Sequence, residues 1–89
     1  MRGTRRWSVQ IFVGEDEGRT YAEAALVDDT GNRARGRGHA TLAPTDDDVP
    51  EIGDEIAVAR ALNDLSRRLL GIARADLEAL IHRPVALHR

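Results

Sequence analysis

The sequence predicts an α+β fold in which a three-stranded antiparallel meander packs on a long C-terminal helix, followed by a short helix and a short terminal strand. Two observations carry this prediction. Apolar and polar residues alternate in three segments separated by turn sequences, and residues 50–72 carry apolar side chains at helical spacing. Because the chain has 89 residues, we expect a single domain that spans residues 1–89.

The three strands are expected at about residues 5–13, 19–27 and 33–42. The GEDEG segment at 14–18 and the DDTGN segment at 28–32 are typical of the turns between them. Ala22, Ala24 and Leu26 are predicted to face inward. In the third strand one face carries only small residues and one leucine, namely Ala34, Gly36, Gly38, Ala40 and Leu42. Such a face would let a helix backbone lie close to the sheet.

The long helix is predicted to begin at Pro50, which suits the first helical position. Its start carries the carboxylates Asp46, Asp47, Asp48, Glu51, Asp54 and Glu55, which favour the positive end of the helix dipole. Its apolar row is expected at Ile52, Ile56, Ala59, Leu62, Leu65, Leu69 and Ile72. After a break at Gly71 or Ala73, a second helix is predicted at about 75–82. Val85 and Leu87 would then form the terminal strand at a sheet edge.

The composition narrows the class of protein. The sequence has no cysteine, which excludes disulfides and thiolate metal sites, and its formal net charge is −2. No segment is apolar enough to span a membrane, so we expect a cytoplasmic protein. The few aromatic residues and many alanines predict a thin core, which favours a homodimer. The candidate dimer or core stripe comprises Ile56, Val58, Leu62, Leu65 and Leu69.

Catalytic and metal sites have little support in the sequence. His39, His82 and His88 lack the spacing of a metal site, and the acidic helix start lacks the ligand order of a calcium loop. The few serines and threonines do not form a nucleophile motif. We therefore expect no enzyme activity, no cofactor and no small-molecule substrate.

A row of cations on the exposed sheet face is the candidate binding site. The candidate RNA-contact face comprises Arg6, Arg33, Arg35, Arg37 and His39, beside Phe12 and Tyr21. These cations could bind phosphate while a base stacks on an aromatic ring. The alternative is a solvated face whose arginines pair with Glu23 and nearby carboxylates. The weak overall charge favours that alternative when the residues are taken alone.

Several motifs resemble one known family. The segment DVPEIGDEIAVARALNDL (48–65), the preceding ATLAPT, the closing IHRPVALH and the strand with Trp7, Val9 and Ile11 resemble the domain-of-unknown-function 1876 family. The resemblance implies a fold like the double-stranded RNA-binding domain without its first helix, and it covers nearly the whole chain. It also implies a likeness to ribosome hibernation-promoting factors, to which a dimeric member has been compared. A double-stranded RNA-binding domain binds phosphates with the lysine-rich start of its C-terminal helix, whereas this helix starts with six carboxylates between Asp46 and Glu55.

Two functions are therefore expected from the sequence. The first is a non-enzymatic cytosolic homodimer that binds the ribosome or RNA in stress or dormancy. The second is a regulatory subunit that holds a protein partner with its acidic helix start and sheet edge.

Overall fold

The computed structural model describes residues 3–41, 50–82 and 86–87. Its elements are β1 (Ser8–Asp16), β2 (Arg19–Asp28), β3 (Gly31–Thr41) and α1 (Pro50–Ile81). The strands form one antiparallel sheet in the order β1-β2-β3. The predicted α+β architecture is confirmed. Residues 42–49, which include Leu42 and the predicted helix-start carboxylates Asp46, Asp47 and Asp48, lie outside the described residues.

The two hairpin turns are shorter than predicted. β1 continues through Asp16, and the first turn consists of Glu17 and Gly18, with φ angles of 50° and 77°. Positive φ at both central residues matches the right-handed twist of the flanking strands. The second turn lies at 29–30, and Gly31 follows it with a φ of 117°. The first three residues of the acidic GEDEG segment therefore belong to β1, because a two-residue turn is enough to reverse the chain.

α1 is one continuous helix of 32 residues, so the predicted break at Gly71 or Ala73 and the separate helix at 75–82 are wrong. A single helical glycine costs only about 1 kcal/mol relative to alanine, which the surrounding leucines, alanines and arginines can offset. The helix ends at Ile81, and the next residue, His82, has a φ of 58° and an N–H that donates to the Glu78 carbonyl at 2.7 Å. The predicted terminal strand falls mostly outside the described residues, and residues 86–87 are not in a strand.

The core is a close contact between small residues of α1 and the sheet. Ala57, Ala61 and Leu65 are buried against Ala22, Ala24, Leu26 and Ala40. A Cβ added at Gly38 would lie 2.5 Å from the Ala57 carbonyl oxygen and 2.6 Å from the Arg60 Cβ. The third strand therefore has glycine where the helix backbone passes. The inward orientation predicted for Ala22, Ala24 and Leu26 is confirmed.

The predicted apolar row of the helix is only in part the sheet-facing row: Leu65 is buried and Leu69 is partly buried beside it, but the other members of the row do not face the sheet. Gly53, Ala57, Ala61 and Leu65 face the sheet, whereas Ile52, Ile56, Leu62 and Ile72 are exposed and Ala59 is exposed as well. Large side chains at the contact would hold the helix away from Gly36 and Gly38. The glycines of β3 therefore select the alanine row, not the isoleucine row.

α1 lies mainly over β3 and β2 and makes little contact with β1. The side chains of β1 that point to the helix side, Val9, Ile11 and Val13, remain exposed by 43%, 38% and 45%. One apolar row of the sheet is thus left uncovered by the described part of the chain.

Candidate nucleic-acid interface

The face of the sheet opposite α1, here called the outer face, is set by the strand register. In one line across the sheet, Gly14 of β1 pairs with Tyr21 of β2, which pairs with His39 of β3. In the next line, Phe12 pairs with Glu23, which pairs with Arg37. Arg35 follows in a third line opposite Ala25. Because directly paired residues point to the same face, these side chains form one surface.

Two exposed aromatic rings lie on this surface. Phe12 is 57% exposed and Tyr21 is 45% exposed, and the register makes them diagonal neighbours. An open cavity of about 620 Å³ is lined by both rings together with Glu23, Arg37 and His39. A Cβ added at Gly14 would meet no atom within 4 Å, so the surface beside Tyr21 is open. The site has room for a planar ligand next to two cationic or basic side chains.

Arg35 and Arg37 share one carboxylate. Arg35 Nη1 donates to Glu23 Oε1 at 3.2 Å, and Arg37 Nε donates to Glu23 Oε2 at 3.4 Å. The register explains this arrangement, because Glu23 lies directly opposite Arg37 and Arg35, two residues away on β3, is its diagonal neighbour on the same face. Both guanidinium groups remain largely exposed. The three side chains together carry one excess positive charge.

Arg33 does not join this row. The pairing of β2 with β3 shifts register between Leu26 and Val27, so Arg33 falls in a β-bulge between Asn32 and Ala34. Its guanidinium instead binds Asp28 and lies over the Trp7 ring, 4.7 Å from the centroid. The strict alternation predicted for β3 is interrupted at this residue.

Asp28 is the centre of a separate polar cluster at this end of the sheet. Its Oδ1 accepts hydrogen bonds from the Thr30 N–H at 2.8 Å and from the Thr30 hydroxyl at 2.6 Å. The Thr30 hydroxyl and the Arg33 guanidinium lower the pKa of Asp28 from 3.8 to about 2. Arg6 lies in the same region, where it lines a second cavity of about 440 Å³ with Trp7 and Arg33. The five predicted RNA-contact residues are therefore divided into two groups.

The candidate dimer or core stripe is also divided. Leu65 is buried in the core, and Val58 and Leu69 are partly buried beside it. Leu62 is 42% exposed and Ile56 is 38% exposed. Since a helix turns once in about 3.6 residues, Val58, Leu62 and Leu69 lie on one flank of α1, whereas Ile56 points away from the sheet.

Sequence reasoning missed two polar contacts that fix the other flank of α1 to β3. The Arg60 guanidinium donates to the His39 carbonyl at 2.8 Å, and Asp64 Oδ2 accepts the Arg37 N–H at 2.9 Å. Asp64 also accepts Arg68 Nε at 2.9 Å. The Arg37 N–H and the Arg68 guanidinium lower the pKa of Asp64. The helical spacing of Arg60, Asp64 and Arg68 was the available signal, but it did not identify a strand as the partner.

The described residues hold neither a metal-binding cluster nor a membrane-spanning helix. Within residues 3–41, 50–82 and 86–87, no three His, Asp or Glu side chains converge on a point that could hold a metal ion. α1 is the helix of this part of the chain, and it lacks an apolar stretch long enough to cross a bilayer.

The chain is similar to several mycobacterial proteins. It is 46% identical over 88 residues to the uncharacterized protein Mb1767 of Mycobacterium bovis, a match that covers 93% of this chain and 87% of that protein. It is 42% identical over 77 residues to the uncharacterized protein Rv2632c of Mycobacterium tuberculosis, covering 86% and 82%. The crystal structure of Rv2632c superposes with a TM-score of 0.80 at 36% identity and covers 93% of this chain and 98% of that one.

These similarities confirm the expectation of a small domain of unknown function, while the likeness to hibernation-promoting factors stays a prediction. The model of the Rv2632c-like family matches residues 5–86. This chain therefore belongs to the Rv2632c-like family.

Proposed function

We propose that this protein is a non-enzymatic, cytoplasmic homodimer that binds single-stranded RNA, including exposed segments of ribosomal RNA, through the outer face of its sheet. The observation that carries the proposal is the exposed pair Phe12 and Tyr21 beside Arg35, Arg37 and His39. Aromatic rings on a sheet can stack unpaired bases, while neighbouring arginines bind the phosphates. The resemblance to hibernation-promoting factors supports a role in stress or dormancy.

The charge arrangement of the outer face supports this role. Glu23 neutralises one of its two arginine partners, so one guanidinium can turn to a phosphate while the other keeps the carboxylate paired. The exposure of both arginines means that this exchange does not require the core to move. Binding would therefore depend strongly on salt concentration, as phosphate contacts do.

The helix start supports the outer face over the binding mode of the double-stranded RNA-binding domain. Glu51 and Glu55 are exposed in the first turns of α1, with Asp54 between them. Their negative charge would repel a phosphate backbone. Duplex RNA is thus expected to bind more weakly than single-stranded RNA.

The same surface also supports the non-enzymatic part of the proposal. Glu23 is the carboxylate among the residues that line the outer-face cavity, and two arginines engage it. Both oxygens of this carboxylate are therefore occupied by guanidinium donors. The cavity is open to solvent, which suits binding better than chemistry that must exclude water.

A binding titration with a labelled oligouridylate over a salt series tests the proposal. Phe12→Ala and Tyr21→Ala are each expected to weaken binding about 10- to 100-fold, because a stacked base contributes about 1–3 kcal/mol. Arg35→Ala combined with Arg37→Ala should reduce the salt slope by about 0.7 per lost phosphate contact. Co-sedimentation of the same variants with ribosomes then tests the cellular target.

Arg67→Ala combined with Arg74→Ala is the matched control, because it removes two exposed arginines from α1. This control should change affinity far less than the outer-face pair. If both double variants lose the same affinity, the binding is nonspecific charge attraction and does not use the outer face. Absence of binding to oligouridylate and ribosomes at low salt would reject the RNA function.

One observation favours a second function, in which a protein partner binds the acidic helix start and the sheet edge. β1 is an edge strand whose nine residues are all exposed, and such strands can accept a partner strand. Affinity purification separates the two functions. Stoichiometric recovery of one basic protein without ribosomal RNA would favour the protein partner.

A further inference from the structure

The edge of the sheet at β1 is long, and no further strand of the described residues pairs with it. Its central segment, Val9–Val13, has no charge, proline or glycine, which are the features that usually prevent strand pairing at an edge. The register shift of the sheet lies between β2 and β3, so β1 pairs with β2 without interruption. This strand therefore presents a regular row of backbone groups to solvent.

The side chains of β1 are also exposed to a binding partner. Val9, Ile11 and Val13 project on the helix side, where α1 leaves them exposed. Leu62 on the adjacent flank of α1 is also exposed. The uncovered apolar surface thus runs from the free edge of the sheet to the helix.

We infer that a second copy of this chain pairs with β1 in antiparallel orientation, with Ile11 of both copies on the two-fold axis. This pairing gives a six-stranded sheet with both helices on one face. The inference names the interface of the homodimer proposed above, and it does not require RNA binding.

The sequence of β1 is self-complementary in this register. Val9 of one copy would lie opposite Val13 of the other, and Gln10 would lie opposite Phe12. Directly opposite residues share a face, so the apolar rows of both copies remain on the helix side. If one strand were shifted by one residue against the other, the apolar row of one copy would lie on the opposite face of the sheet from that of the other copy. A two-fold interface needs such a self-matching surface.

Charged residues at the two ends of β1 favour the same register of the two copies. Arg6 precedes β1 and Asp16 ends it, and both are exposed. With Ile11 on the axis, Arg6 of each copy lies opposite Asp16 of the other, and Arg5 lies near Glu17. A shift by two residues in either direction breaks both ion pairs; in one direction Arg5 then lies opposite Glu15, and in the other direction no opposite charges are paired. The ends of β1 therefore attract each other only when the strands are antiparallel.

A single cysteine on the axis tests the geometry. The chain has no native cysteine, so Ile11→Cys introduces a lone thiol in each copy. Opposite residues of antiparallel strands have Cα atoms about 4.5–5.5 Å apart, within the range that a disulfide requires. Mild oxidation of the full chain should convert most of the variant to a covalent dimer. Leu80→Cys is the control, because Leu80 is 76% exposed near the end of α1.

Charge reversal tests the register with light scattering and sedimentation equilibrium. Arg6→Glu and Asp16→Arg should each weaken dimerisation about tenfold, since each affects two ion pairs per dimer. The double variant should recover affinity close to that of the unmodified chain. Far-ultraviolet circular dichroism checks that each variant remains folded.

The outcomes separate this inference from the RNA function. A chain that is monomeric at high micromolar concentration, or an Ile11→Cys variant that crosslinks no faster than Leu80→Cys, overturns the inference. Pairing of β1 with the C-terminal segment of its own chain would give that monomeric result. A dimer that passes both tests but binds no RNA would overturn only the proposed RNA function.

Discussion

The two edges of the sheet differ in their contacts with α1. At β3, Arg60 and Asp64 of α1 bind the backbone of His39 and Arg37, so side chains occupy polar groups that a further strand would need. At β1, the helix-side row is exposed and α1 makes little contact. One edge is closed by the fold, and the other is available for association.

The difference follows from side-chain size. β3 offers Gly36 and Gly38 to the alanine row of α1, which allows the helix backbone to approach the strand closely. β1 offers Val9, Ile11 and Val13, whose branched side chains need more distance. The helix therefore lies toward β3 because close packing of many atoms outweighs contact with a few larger ones.

The largest expected effect tests this close approach. Gly38→Ala would place a Cβ 2.5 Å from the Ala57 carbonyl oxygen, so the helix must shift. We expect the free energy of unfolding to fall by about 3 kcal/mol or more, the upper end of the usual cost of overpacking. Urea denaturation monitored by circular dichroism provides the measurement.

Gly14→Ala is the matched control at the open edge, where a Cβ meets nothing within 4 Å. This substitution should change stability by less than about 1 kcal/mol. Similar losses for both substitutions would contradict the difference between the edges.

The second effect concerns the cluster of Asp28, Arg33 and Trp7, which links the start of β3 to the segment before β1. Because the pKa of Asp28 is about 2 in the folded chain, the unfolded chain binds its proton first as the pH falls. The stabilisation from Asp28 is complete above its unfolded pKa near 3.8 and is lost as the pH falls toward 2.

Asp28→Asn is therefore expected to lower the free energy of unfolding at neutral pH, and its difference from the unmodified chain should shrink between pH 4 and pH 2. Denaturant titrations across this range provide the measurement. Asp29→Asn, which removes an exposed carboxylate from the same turn, controls for the change in net charge. A difference that stays constant down to pH 2 would exclude the Asp28 contacts as its source.

The smallest effect concerns the closed edge itself. Arg60→Ala removes the donor to the His39 carbonyl, and we expect a loss of about 1 kcal/mol, as for a typical hydrogen bond. The variant should also aggregate more readily because the β3 edge is less protected. Arg67→Ala removes a guanidinium at the weaker 3.5 Å contact with Asp64 and should have little effect on either measurement.

The sequence predicted the strands well because alternation and turn residues are local signals. It also predicted that small residues in β3 would admit a helix. For most of the sheet-facing row of that helix the prediction was wrong, since large apolar residues such as Ile56 and Leu62 are more typical of a core than Ala57 and Ala61 when the partner surface is unknown. The bulge at Arg33 was equally hidden, because a register shift depends on pairing between strands. That shift separates Arg33 from Arg35 and Arg37, while Arg6 lies before β1 and lines a cavity with Arg33.

The alanine contact between α1 and the sheet also bears on how stability varies with temperature. The buried core is mostly alanine, with Leu26 and Leu65 as its larger members, and the described residues include no large side chain that is fully buried. The heat capacity of unfolding grows with the apolar area that unfolding exposes. A core of this composition should give less than the usual value of about 12–15 cal/mol/K per residue. The free energy of unfolding of the isolated chain would then follow a flat curve against temperature and would change only slowly on cooling.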